Sequence, residues 1–120
     1  MILQVVFHKS FADCSGIVPW FQKNTSQHLM CEHEADEDIA TTHCHAVIDI
    51  KVSKVALEKE IKRLNLGGRG QIAIMARTKK AIDGERRDYD YDKLAIYILK
   101  GKVATNATTN NDVDIEKWAA

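Results

Sequence analysis

The chain reads as an α+β domain built on one mostly antiparallel sheet with helices packed on it. Three observations predict that class. Short β-like stretches dominate the first fifty residues, the second and third of them are spaced as a hairpin, and helical periodicity follows, broken by one more strand-like stretch.

The first strand is ILQVVFH, residues 2–8, which is β-branched and aromatic with Leu3, Val5 and Phe7 on one face. KSFADCSGIVPWFQKN then mixes turn residues with an apolar knot around the only proline, and predicts a short helix or wrapped loop with Val18, Trp20 and Phe21 facing inward. SQHLMCEHE, residues 26–34, sets Leu29, Cys31 and His33 against Met30, Glu32 and Glu34 as a second strand. ADEDIA is polar enough to be a turn, so THCHAVIDIK, residues 42–51, should return antiparallel beside it. Its period of two places Cys44, Ala46, Ile48 and Ile50 on a core face and His43, His45, Val47 and Asp49 on the other.

SKVALEKEIKRLNLGG is the clearest helix: Ser53 caps it, Leu57, Ile61 and Leu64 recur at helical spacing, and Gly67 is placed to end it. RGQIAIMART is the fourth strand, with Ile72 and Ile74 on one face. KKAIDGERRD reads as an exposed basic loop or the tips of a further hairpin. DYDKLAIYILKGK predicts a short helix with Asp90 or Asp92 as cap, Leu94, Ile96 and Ile98 as its apolar positions and Gly101 as its stop. After Val103 the composition is that of a polar linker, which divides the chain into a domain over 1–103 and a linker with a short terminal segment over 104–120.

An apolar fraction of 45% with 28% charged residues is ordinary for a globular domain and argues against a disordered chain. No apolar run approaches the roughly 18 residues of a membrane span. The start, MILQVVFHKS, lacks the charged head and cleavage site of a signal peptide, so the expectation is an intracellular protein without a membrane partner. Cys14, Cys31 and Cys44 are odd in number and lack zinc-ribbon spacing, which speaks against a disulfide framework. Although the formal charge is zero, residues 51–102 hold 14 Lys and Arg against 7 Asp and Glu, while residues 31–38 carry five acids. An acidic spot beside a basic half suits a cation site next to a phosphate-binding surface.

The histidines of the third strand lie about 6–7 Å apart at the backbone, a spacing from which two imidazoles converge on one ion. The expected third ligand is a carboxylate across the hairpin: Glu32 if the turn centres near Glu37 and Asp38, Glu34 if the centre moves. Two imidazoles and a carboxylate leave positions open for water and substrate, as a catalytic metal requires. A zinc site recruiting Cys31 or Cys44 is a further option. On the last helix Tyr97 and Lys100, three apart, share a face and can reach one phosphate. A phenol attacks poorly unless a cation steadies the phenolate.

Together, HCHAVI and, about fifty residues later, YILKG resemble the HUH endonucleases, and among them the N-terminal domain of replication initiator (Rep) proteins of circular single-stranded DNA viruses of the geminivirus and circovirus type. The resemblance spans roughly residues 1–103. It implies a ferredoxin-like, RRM-like domain with a central antiparallel sheet of about five strands and flanking helices. It further implies that His43, His45 and Glu32 (or Glu34) hold Mg²⁺ or Mn²⁺, that Tyr97 is the nucleophile, and that Lys100 assists at the phosphate. The implied activity is that of a nickase-ligase: sequence-specific nicking and rejoining of single-stranded DNA at a stem-loop origin through a 5′-phosphotyrosine, which starts rolling-circle replication.

An isolated domain of this kind is expected to be a monomer, and the full-length protein an oligomer carrying a helicase domain; a eukaryotic virus would place it in the host nucleus. Arg77, Lys79, Lys80, Arg86 and Arg87 are assigned to the DNA backbone on charge alone. The chain departs from the family at its first motif, present only as FHKS, and in the length of the turn ADEDIATT. The alternatives are a non-catalytic nucleic-acid-binding module of the same fold, and a regulatory domain in which Cys31, His33 and the histidine pair hold zinc.

Overall fold

The computed structural model describes residues 1–35, 41–68, 70–80, 84–88, 90–99 and 106–110. Strand β1 (Ile2–Phe7) is buried along its whole length, because both faces of the sheet it anchors are covered. Leu3, Val5 and Phe7 point to one core, with Phe21, Met30, Ile48, Leu57 and Ile61. Ile2 belongs to a second core on the reverse face, with Leu29, Cys31, Val47, Tyr91, Ala95, Ile98 and Leu99.

Between β1 and β2 (Thr25–His33) run the short helix α1 (Phe11–Cys14), a 3₁₀ turn (Ser15–Ile17) and α2 (Val18–Asn24). Ser10 caps α1 by accepting from the Asp13 N–H, and Pro19 sits in the first turn of α2, where its missing N–H costs nothing. Phe21 is fully buried, and Val18 and Trp20 pack half-buried beside the core.

Strand β3 (His43–Ile50) pairs antiparallel with both β1 and β2. Helix α3 (Lys54–Arg63) follows, with the Ser53 side chain accepting from Ala56 N–H at 3.2 Å. It ends earlier than Gly67. Asn65 takes the left-handed conformation (φ 54°), and the Leu66 N–H reaches back to the Ile61 carbonyl, a Schellman closure with asparagine in the usual glycine position.

Strand β4 (Ile72–Ala76) pairs with β1, and β5 (Thr78–Lys80) with β6 (Arg86–Asp88) forms a separate two-stranded hairpin. Helix α4 (Tyr91–Leu99) is capped by Asp90, whose carboxylate accepts from the Asp92 and Lys93 N–H groups. Its buried positions Tyr91, Ala95, Ile98 and Leu99 form one helical face against the second core. Burying Ile98 and Leu99 contributes about 1.5–3 kcal/mol each, so truncating either to alanine loosens this helix.

The main sheet has the order β4-β1-β3-β2-β7, every pairing antiparallel. With α1 and α2 after β1 and α3 after β3, this is an α+β architecture consistent with the ferredoxin-like fold. Its fifth strand, β7 (Ala107–Thr109), falls in the segment whose composition reads as linker. Side chains hold it to β2: Thr109 Oγ1 donates to the His28 carbonyl at 2.7 Å, and Asn110 Oδ1 accepts from the His28 N–H at 2.8 Å. Among the described residues no helix is long and apolar enough to cross a membrane.

Candidate metal centre

The hairpin ladder decides which side chains meet the two histidines. His33 lies opposite His43, Cys31 opposite His45 and Glu32 opposite Cys44. This register differs by one residue from the one that would set Glu32 across from His43. Because strand side chains alternate, such a shift moves a whole set to the other face. Leu29 and Cys31 thereby join Val47 under α4, and Met30 joins Ala46 and Ile48 in the core beneath α2 and α3.

Glu32, expected as the third ligand, therefore lies on the face opposite the two histidines. Its Oε2 accepts from the Phe11 N–H at 2.7 Å and its Oε1 from Asn106 Nδ2 at 2.8 Å, so it satisfies the first turn of α1 and ties β2 to the approach to β7. Glu34 lies past the end of β2, exposed and outside the histidine cluster.

The third member of the cluster is His33. One ligand atom from each of His33, His43 and His45 lies within 4.8 Å of the others. Ring centroids are 5.3 Å apart for His33 and His43, 5.0 Å for His43 and His45, and 4.3 Å for the stacked pair His33 and His45. Imidazole nitrogens bind Zn²⁺-like ions at about 2.0–2.1 Å, which puts the ring centroids of a tetrahedral site about 5 Å apart.

The outer hydrogen bonds suit ligation. His43 Nδ1 is 2.8 Å from the Thr41 carbonyl and His33 Nε2 is 2.8 Å from the Ile98 carbonyl. A carbonyl only accepts, so each of these nitrogens donates, and in the neutral ring the lone pair sits on Nε2 of His43 and Nδ1 of His33. The Ile98 carbonyl belongs to the last turn of α4, the negative end of the helix dipole, which favours a cation nearby.

Cys31 is fully buried, its Sγ 3.3 Å from His33 Nε2 and 3.4 Å from the Ile98 carbonyl, on the outer side of that imidazole. Cys44 sits between the two histidines in sequence but in the opposite core, where a hydrogen bond with Cys14 and then burial push its thiol pKa far up. A thiol held protonated is a poor metal ligand. His8, exposed just past β1, has its centroid 6.5 Å from that of His43, beyond the spacing of two ligands on one tetrahedral ion.

Tyr97 stands on the same last turn of α4 that supplies the Ile98 carbonyl, and is 76% exposed. Lys100 lies outside the described residues. The five residues assigned to DNA fall into two groups. Arg77 is half-buried, its Nε donating to Gln4 Oε1 at 2.8 Å. The β5–β6 register sets Lys79 opposite Arg87 and Lys80 opposite Arg86. The exposed Arg87 also pairs loosely with Glu85 at 3.7 Å.

The sequence reading brought His33 to the histidine pair only in the alternative zinc-holding regulatory domain, although one further signal was there: His33, His43 and His45 are all odd-numbered, so any hairpin register that joins residues of like parity brings all three to one face. No protein-family model, curated protein or solved structure matches the chain.

Proposed function

We propose that this domain nicks and rejoins single-stranded DNA through Tyr97, with a divalent ion held by His33, His43 and His45, as an initiator of rolling-circle replication. The observation that carries the reading is one juxtaposition: a three-histidine cluster hydrogen-bonded to the turn of α4 that bears an exposed tyrosine. The likeness of HCHAVI and YILKG to the HUH endonucleases supports it and supplies the substrate class.

A divalent ion at the cluster would supply Lewis-acid polarisation of a phosphate oxygen. The three imidazoles would hold it, and the Thr41 and Ile98 carbonyls fix two of the rings. Tyr97 Oη attacks phosphorus in line. Its bond to phosphorus forms as the bond to the 3′ oxygen breaks, and the phenolic proton ends on that 3′ oxygen. Lys100, three residues on, is the cation that the resemblance assigns to the phosphate.

The products are a free 3′-OH, which primes synthesis, and a 5′-phosphotyrosine. A later 3′-OH reverses the step and reseals the strand without a nucleotide cofactor. The β5–β6 hairpin, whose register sets Lys79 opposite Arg87 and Lys80 opposite Arg86, supplies the basic residues for contacts to the DNA backbone.

An exposed tyrosine also suits base stacking without chemistry, and a single experiment separates the two uses. The protein is mixed with a pool of single-stranded oligonucleotides and Mg²⁺, Mn²⁺ or Zn²⁺ and run on a denaturing gel beside Tyr97→Phe and a chelated control. A covalent band that needs both the metal and Tyr97 supports nicking. Bound DNA with no adduct under any metal replaces it with the binding-module reading.

A further inference from the structure

The resemblance implies Mg²⁺ or Mn²⁺ held partly by a carboxylate, and the donor set of this chain does not match that. We infer that the centre is an all-imidazole site that takes Zn²⁺ or a chemically similar ion and discriminates against Mg²⁺. The inference rests on the reading of the cluster as a metal centre and names the ion that this centre selects.

Three features argue for it. The donors are three nitrogens, and among the described residues no carboxylate joins them. The nearest candidate, Glu32, is committed on the other face to Phe11 N–H and Asn106. Imidazole suits Zn²⁺ and its neighbours, whereas Mg²⁺ demands oxygen ligands in near-octahedral array and gives up its waters reluctantly.

The ring spacings of 4.3–5.3 Å lie around the value of a compact tetrahedral site, which again favours Zn²⁺. Burial adds to this. His33 and His43 are 5% and 1% exposed, so the side of the ion that they cover admits little water, and a strongly hydrated ion gains least there.

Charge gives the selection a consequence. Three neutral imidazoles leave the full +2 of the ion on the site, where a His-His-Glu set would leave +1. The fourth position is thus more attractive to an anionic phosphate oxygen than it would be beside a carboxylate.

The test uses direct binding, so it does not depend on DNA cleavage. Metal-stripped protein is titrated with Zn²⁺, Co²⁺, Mn²⁺ and Mg²⁺ by calorimetry, and the visible spectrum of the Co²⁺ form is recorded. One equivalent of Zn²⁺ and of Co²⁺ should bind, each at least about tenfold tighter than Mn²⁺, with the intense Co²⁺ absorption of a four- or five-coordinate site, and Mg²⁺ in large excess should not displace them.

His33→Ala should weaken Zn²⁺ at least about tenfold, and His33→Glu should narrow the gap between Zn²⁺ and Mn²⁺. Cys31→Ser should weaken Zn²⁺ less than His33→Ala does. Mn²⁺ or Mg²⁺ binding wild-type protein as tightly as Zn²⁺, or Zn²⁺ affinity indifferent to His33, overturns the inference. Should His33→Ala not fold, the wild-type order of metals and His33→Glu still decide it. Selective Zn²⁺ binding without any DNA adduct would remove the proposed function and leave this inference standing. Nicking supported equally by Mg²⁺ and Zn²⁺, with equal affinities, would do the reverse.

Discussion

His33 and His43 face each other across the β2–β3 ladder with ring centroids 5.3 Å apart, and each has one ring nitrogen 2.8 Å from a backbone carbonyl. The two rings are thus oriented by the fold itself, so an ion held there would find little side-chain freedom left to remove. A ligand that binds only the folded state stabilises by about 2.7 kcal/mol at a hundredfold excess over its dissociation constant. Thermal melts of wild-type protein with and without Zn²⁺ should therefore separate by several degrees. For His43→Ala or His45→Ala the two melts should coincide; a metal-dependent shift that survives both substitutions would place the ion elsewhere.

Glu32→Ala distinguishes the register in the structure from the one that would make Glu32 a ligand. The substitution removes the acceptor for Phe11 N–H and Asn106 and should cost about 1–3 kcal/mol in urea unfolding. The metal-dependent rise in melting temperature should remain. Loss of metal binding with unchanged stability would contradict the ladder.

His28 gives stability a pH dependence that does not involve the cluster. It is 1% exposed beside Phe21, and burial holds its pKa below the ordinary 6.5. The unfolded chain therefore takes up a proton that the folded protein refuses. Stability from this residue is complete above pH 6.5 and is lost as pH falls from there through the depressed folded-state value, at up to about 1.4 kcal/mol per pH unit for one proton. In metal-free protein the stability difference between wild type and His28→Leu should shift toward the variant as pH drops from 7.5 to about 5. A difference independent of pH would show that His28 titrates normally in the fold.

The basic hairpin should reveal itself through salt. Each phosphate contact to a single strand contributes about 0.7 to the slope of log affinity against log salt. Lys79→Ala and Arg87→Ala should each weaken binding of unrelated oligonucleotides alike and lower that slope by about this amount. Affinity that is flat with salt in wild-type protein would remove the hairpin from the DNA surface.

Much of this was legible in the residues. Ser53 with Leu57 and Ile61 marks α3, Asp90 marks the start of α4, and the period of two in HCHAVIDI puts His43 and His45 on one face. The hairpin register was not legible, because Leu29, Met30 and Cys31 are all fully buried. A strand covered on both faces carries no polar–apolar alternation to choose between two registers one residue apart, so the expectation of Glu32 or Glu34 across from His43 rested on the turn alone, and the ladder sets His33 there. Strand β7 was hidden for another reason. Its Ala-Thr-Thr run is too short and polar to show a pattern, and its pairing depends on flanking asparagines whose hydrogen bonds are tertiary.

The most direct measurement of the central claim is mass spectrometry of the tryptic digest after reaction with a single-stranded oligonucleotide and metal. Cleavage after Lys93 and Lys100 isolates LAIYILK, in which Tyr97 is the only hydroxyl-bearing residue. The account requires this peptide to carry the mass of a 5′-phosphorylated nucleotide fragment, and only when the metal is present and His33, His43 and His45 are intact. A nucleotide on any other peptide, or an adduct that forms equally well in chelator, would contradict it.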